Sequence, residues 1–270
     1  ANKPIMNSQV ARYAMEYAKM FGVPFINNPQ NLDLVNKGVM NESVISNSLG
    51  LSGNPTIAET VMVYRDLEIA SFIGGKIHIP NITCKESINI INAHRDKNTD
   101  VTSEVSPHHL FFNDSDLETY NTNFKISPPL RDEINRESLI NGIKKGSIDC
   151  IASSHNPVRF DDKDKDFYNA DFGVIGLESA FSATNTILSN NNIKMKEILN
   201  LFSLNPSKIM NLNLCDMKVG SNAELVIIDP NKSWTFSESD IFSKSSNTPF
   251  LNQKLKNKID FTINKTFLFG

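Results

Sequence analysis

No apolar run in this 270-residue sequence approaches the roughly 20 residues that a helix needs to cross a bilayer, and its first residues lack the charged-then-apolar order of a signal peptide. A membrane partner is set aside, and the expected compartment is the cytoplasm. Cysteine is scarce. Cys84, Cys150 and Cys215 are odd in number and widely separated, which argues against a disulfide framework or a thiolate cluster and predicts reduced thiols buried in apolar surroundings. Charge of one sign is lacking too. Lys and Arg number 27 against 30 Asp and Glu, for a net charge of -3, and they are scattered rather than striped. That leaves no electrostatic footprint for nucleic acid. Internal repeats and low-complexity linkers are missing as well.

What is present is enough apolar material, 40% of residues, to bury a core for one large α/β domain or two smaller ones. Val10, Tyr13, Ala14, Tyr17 and Met20 fall at helical spacing, so the pattern predicts a helix over Ser8–Phe21, capped by Ser8 and ended by Gly22. The short apolar run Val23–Ile26 then reads as a strand. The alternation repeats: a helix from Asn54-Pro55 to Ile73 precedes the strand Lys76–Ile79, and a helix over Lys85–His94 precedes Val101–Val105. A further helix over Arg136–Lys145 precedes Ile148–Ala152. Helices alternating with short, continuously apolar strands predict a parallel sheet with crossover helices, either doubly wound or half of a (β/α)8 barrel. Beyond Gly176 come helical segments, one opened by Asn205-Pro206, then the strand-like Ala223–Ile228 and a β-rich tail through Trp234 to Phe269. Asparagine is abundant, often in loops where Asp or Gly would serve, and reflects composition rather than function.

In such a barrel the chemistry sits just past the strand ends. After the first predicted strand the chain reads Asn27-Asn28-Pro29-Gln30-Asn31, and the second closes with His78-Ile79-Pro80-Asn81-Ile82-Thr83. The third gives Glu104-Val105-Ser106-Pro107-His108-His109-Leu110, and the fourth Ile151-Ala152-Ser153-Ser154-His155-Asn156-Pro157-Val158. These strings resemble those of the class I dihydroorotases of the amidohydrolase superfamily: His-Cys-Glu-Asp, His-Ile-x-His-Val-Ser-Thr, Glu-Val-Thr-Pro-His-His-Leu and Ala-Thr-Asp-His-Ala-Pro-His. The segments ending in Ser127-Pro128-Pro129-Leu130-Arg131, Phe172–Glu178 and Lys218–Leu225 resemble the family's Asn-Pro-Pro-Leu-Arg, Phe-Gly-Ile-x-Gly-Leu-Glu and Gly-x-x-Ala-Asp-Leu. The resemblance runs in order along nearly the whole chain. It implies the C-terminal half of a (β/α)8 amidohydrolase barrel over residues 1–212 and a β-rich appended domain over 213–270, whose N-terminal part is missing from this chain. The family's His-x-His pair and its bridging lysine or aspartate are expected upstream of Ala1.

The family binds zinc and hydrolyses a cyclic amide. Its ligand positions fall here on Asn28, Asn81 and Ser154, the last being also its acid/base position, with Gln30 and Asn31 in place of an acidic pair. Neutral amides and a hydroxyl are poor zinc ligands. The resemblance therefore implies that no metal ligand or catalytic residue is intact, that no cofactor is bound, and that a vestigial substrate pocket remains at Ser127, His155 and Val158. His78, His108 and His109 are expected to be scaffold, and Arg159–Asp166, with its alternating signs, a solvated loop. The leading expectation is a catalytically inactive dihydroorotase-like protein of pyrimidine biosynthesis, oligomeric and acting as scaffold or partner of aspartate transcarbamoylase. The rivals are an active cyclic amidohydrolase with a rearranged site using His155, Asp161 or Asp162, and a small-molecule sensor with a neutral pocket at Asn28, Asn81 and Ser154.

Overall fold

A computed structural model describes residues 3–213, 218–265 and 267–269. Helix α1 (Ser8–Met20) leads into β1 (Phe25–Ile26). Its cap is Asn7, not Ser8: the Asn7 side chain accepts from the backbone N–H groups of Gln9 and Val10, and Gly22 leaves the helix at φ 67°. Residues 32–54, which carried no periodic signal, fold into α2 (Leu32–Val35), β2 (Met40–Asn41), α3 (Val44–Leu49) and β3 (Gly53–Asn54), with β2 and β3 pairing in parallel. Then come α4 (Ile57–Ile73), β4 (Ile77–Ile79), α5 (Lys85–Arg95) and β5 (Val101–Val105). Next, α6 (Pro107–Phe111) starts where Ser106 caps the N–H of His109. Helix α7 (Glu133–Lys144) begins one turn before the expected Arg136, because the Asp132 carboxylate accepts from Asn135 N at 2.9 Å and caps it there. Strand β6 (Cys150–Ile151) and α8 (Phe160–Lys163) follow, then α9 (Ala180–Asn190), α10 (Met195–Phe202) and α11 (Leu204–Ile209). The tail supplies β7 (Glu224–Ile228), β8 (Ser233–Thr235), β9 (Lys254–Lys256), β10 (Ile259–Asn264) and β11 (Phe267–Phe269).

The central sheet is parallel throughout, in the order β1-β4-β5-β6. Its two faces differ in kind. Ile77, Ile79, Val101 and Val105 face outward into one core with Leu67 and Ala70 of α4, Ile88 and Ile91 of α5, and Leu139 and Ile143 of α7. Burying each such side chain contributes about 1.5–3 kcal/mol. The alternate residues His78, Thr102 and Glu104 face inward, so β5 reads buried, half-buried, buried along its length. A second core gathers Phe112, Leu117, Ile126, Leu130, Phe167, Phe236, Phe250 and Leu255 beneath the loops. It ties the sheet's end to the antiparallel β8–β9 pair, which is held on α9 where Lys256 N donates to Thr186 Oγ1 at 2.8 Å and Ser182 Oγ to Asn257 O at 2.8 Å. Strands β7, β10 and β11 make a separate antiparallel sheet. No helix among the described residues is long and apolar enough to cross a membrane.

Two local expectations are corrected. The Arg159–Asp166 segment is not simply a solvated loop: it contains α8, where Asp162 pairs with Arg159 at 2.8 Å and Lys165 at 3.2 Å, while Lys163 turns inward and donates to Thr122 O at 2.7 Å. Burial, with Lys125 nearby, pushes the Lys163 ammonium down to about 8. Cys84 and Cys150 are free and buried, but Cys84 is not in apolar surroundings, since its Sγ lies 3.3 Å from Glu59 Oε1 and 3.2 Å from Ser87 Oγ. Cys215 lies outside the described residues.

Candidate functional site

The segments singled out in the sequence all leave the same end of the parallel sheet. After β1, Asn27 is buried scaffold: its Oδ1 accepts from Ile5 N at 2.9 Å and its Nδ2 donates to Asp66 Oδ2 at 2.7 Å. Burial raises the Asp66 carboxyl, and the Asn27 hydrogen bond and the Arg65 guanidinium oppose that rise. Asn28 follows, half-buried, and its carbonyl accepts from Gln30 N at 2.9 Å. Asn31 caps α2, accepting from Asp33 N and Leu34 N, each at 3.1 Å.

Past β4 and β6 the chain turns sharply, and both turns place a non-glycine residue in the left-handed region: Asn81 at φ 46° and Ser154 at φ 48°. The turns bring the two side chains together. Ser154 Oγ donates to Asn81 Oδ1 at 2.6 Å. Asn81 and Ser154, two of the three positions where the family resemblance puts zinc ligands, therefore meet as neighbours, joined by a neutral hydrogen bond. That donor set does not fit a zinc dication, which is held by imidazole nitrogen, thiolate or carboxylate oxygen, because an amide oxygen already accepting from a hydroxyl brings no charge to offset the ion's desolvation.

His155 turns away from that pair. Its Nδ1 accepts from Gly176 N at 3.2 Å and Leu177 N at 3.4 Å, so it fastens the Phe172–Glu178 loop to the end of β6. Asn247 holds the same loop, donating to Gly173 O at 2.9 Å, and Glu178 accepts from Ser243 N at 2.7 Å. Gly176 is required, since a Cβ there would lie 2.4 Å from Ser153 O. The expected trio of Ser127, His155 and Val158 thus divides. Ser127 lines a cavity of about 580 Å³ with Gln30, Asn54, Lys125 and Tyr168, while Val158 lines another of about 460 Å³ with Lys163 and Asn247. Gln30 is buried, and its Nε2 has no hydrogen-bond partner.

The histidines of α6, expected to be scaffold, are both held by hydrogen bonds within the fold. His109 donates from Nε2 to Pro128 O at 3.0 Å and accepts at Nδ1 from Ser106 Oγ at 2.7 Å. His108 points Nε2 at Ile175 O, 3.3 Å away, and packs against the Phe250 ring. Burial pushes His108 down to about 3 and His109 to about 4, so both are neutral near pH 7.

Sequence reasoning missed two groups. Glu59, inside an apolar helix pattern, is 1% exposed and accepts from Thr83 N and from the hydroxyls of Thr83 and Ser87. Arg131 reaches this group, donating from Nε to Thr83 Oγ1 at 3.0 Å and from Nη1 to both Asn41 Oδ1 and Asn54 O. Asn41 in turn donates to Asp114 at 2.8 Å, completing a buried charged network. The second group is on the sheet's inner face. His78 lies with Nδ1 2.8 Å from Thr102 Oγ1 and Nε2 3.1 Å from Glu104 Oε2. Period-two alternation in β5, which puts Thr102 and Glu104 on one face, was the signal available for it.

In fold, the chain matches part of the solved hydantoinase and dihydropyrimidinase structures. The chain superposes on the crystal structure of dihydropyrimidinase from Brevibacillus agri with a TM-score of 0.85 at 18% identity, covering 97% of this chain and 60% of that one. The corresponding values for L-hydantoinase from Arthrobacter aurescens are 0.84, 18%, 97% and 60%. In sequence, the chain is homologous to proteins named dihydroorotase. It is 40% identical over 261 residues to that of Thermoanaerobacter sp. (strain X514) and 38% identical over 261 residues to that of Caldanaerobacter subterraneus, each match covering 96% of this chain. The chain spans about 60% of the length of these curated relatives. No family model matches it.

Proposed function

We propose that this chain is a non-catalytic dihydroorotase homologue that keeps the barrel as a scaffold, binds no zinc at Asn28, Asn81 and Ser154, and serves as partner of aspartate transcarbamoylase in an oligomer. The observation that carries the reading is the Ser154–Asn81 hydrogen bond of 2.6 Å, set in turns that are otherwise firmly held. Neutral side chains occupy these positions while the surrounding frame persists: Gly176 still packs on Ser153, His155 still pins the loop, and Arg131 still spans Thr83, Asn41 and Asn54. In this reading residues 1–212 are the second half of the barrel and 213–270 the appended β-rich part, working in the cytoplasm.

The test is hydrolysis of dihydroorotate by the purified protein with added zinc, alongside co-purification with aspartate transcarbamoylase. The expected result is no turnover and a joint particle. Turnover would overturn inactivity in favour of an amidohydrolase with a rearranged site, and a particle lacking the transcarbamoylase would overturn the partnership.

A further inference from the structure

We propose that His78, Glu104 and Cys150 form a divalent-cation site, suited to zinc, on the inner face of the parallel sheet and separate from the strand-end positions discussed above. The three residues come from the adjacent strands β4, β5 and β6, where the register sets His78 beside Thr102 and Glu104 beside Cys150. The imidazole nitrogen, carboxylate oxygen and thiol sulfur all lie within 4.8 Å of one another. These are the three donor types that zinc takes, at bond lengths of about 2.0–2.3 Å, which put neighbouring ligands of a tetrahedral site roughly 3.3–3.7 Å apart. The 3.1 Å between His78 Nε2 and Glu104 Oε2 is close to such an edge.

Charge points the same way. Among the described residues, the ion pairs give Glu104 no lysine or arginine; its partner is His78. When Nδ1–H is donated to Thr102 Oγ1 at 2.8 Å, Nε2 turns a lone pair toward the carboxylate, and a bound cation takes the place that the Nε2 proton fills in the other tautomer. Thr102 then plays the outer part that fixes the tautomer of a ligating histidine. Cys150 adds the soft donor, its thiol proton passing to solvent when the ion binds. Three protein ligands leave a fourth position open. Asn81 and Ser154 lie three and four residues past His78 and Cys150, in the turns beyond β4 and β6, so the site sits within the sheet and the neutral pair beyond its end.

The experiment is titration of the metal-free protein with cobalt(II), the spectroscopic stand-in for zinc, and it reads no catalytic activity, so it stands or falls separately from the proposed function. The expected result is a thiolate-to-cobalt charge-transfer band in the near ultraviolet that saturates at one equivalent and is displaced by zinc. The band should vanish in Cys150→Ser and persist in a double Cys84→Ser, Cys215→Ser variant, which retains only Cys150. Thr102→Val should weaken cobalt binding about tenfold or more. Absence of the band in the unmodified protein, its survival in Cys150→Ser, or its loss from the folded double variant would each overturn the site.

Discussion

Two polar clusters stand at the same end of the sheet, and they have been treated differently. Asn81 and Ser154 form a neutral, half-buried pair joined by one hydrogen bond. Two residues beyond Asn81, Thr83 belongs to a buried network that keeps its full charges on Glu59, Arg131 and Asp114. Full charge sits where it ties loops together, and removing one member would strand the others without solvent. The Asn81–Ser154 pair carries no charge, so changing either member brings no such penalty. The comparison teaches that, of these two clusters, the charged one belongs to the architecture.

The strongest way to break that comparison is Arg131→Leu. It leaves Glu59 uncompensated in a nearly solvent-free place, and the expected loss is about 3–5 kcal/mol in urea unfolding; a loss below 1 kcal/mol would show that the network is not what holds the loops. Acid gives the next largest effect, because His108 and His109 are held neutral by burial at about 3 and about 4, below the ordinary 6.5. The unfolded chain therefore binds more protons than the folded one between those values. Their contribution is fully present above pH 6.5 and is lost as pH falls toward 4 and then 3, on the order of a few kcal/mol. Unfolding free energy measured at stepped pH should fall across that window, and His109→Gln should flatten the fall. The smallest effect belongs to Ser154→Ala, which removes one half-exposed hydrogen bond and should cost about 1 kcal/mol or less. A cost matching that of Arg131→Leu would erase the distinction between the clusters.

Much of the frame was legible because its signals are local. Gly74 at φ 66° ends α4 where the sequence placed its stop, and the apolar runs around Ile77, Val101 and Ile151 are the strands of the sheet. The start of α7 was misplaced because Asp132 gave no apolar signal to mark its capping role. Residues 32–54 were illegible for a different reason: β2 and β3 are two residues each, and their packing rests on contacts such as Asn41 with Asp114, far away in sequence. At the site, the neutral character of Asn28, Asn81 and Ser154 could be read directly, but the meeting of Asn81 and Ser154 could not, since it depends on two left-handed turns 73 residues apart. Nor could the separation of Ser127 from Val158, which line different cavities, one beside Lys125 and the other beside Lys163.

The two-faced pattern of β5 has a consequence for how the chain finds its fold. Parallel strands of two to five residues offer few hydrogen bonds with which to tell one alignment from the next. A slip of one residue would drive Thr102 and Glu104 into the layer packed by α5 and eject Val101 and Val105 from it. The carboxylate of Glu104 thus acts as an alignment mark, because a slip of one residue would bury its charge among apolar side chains.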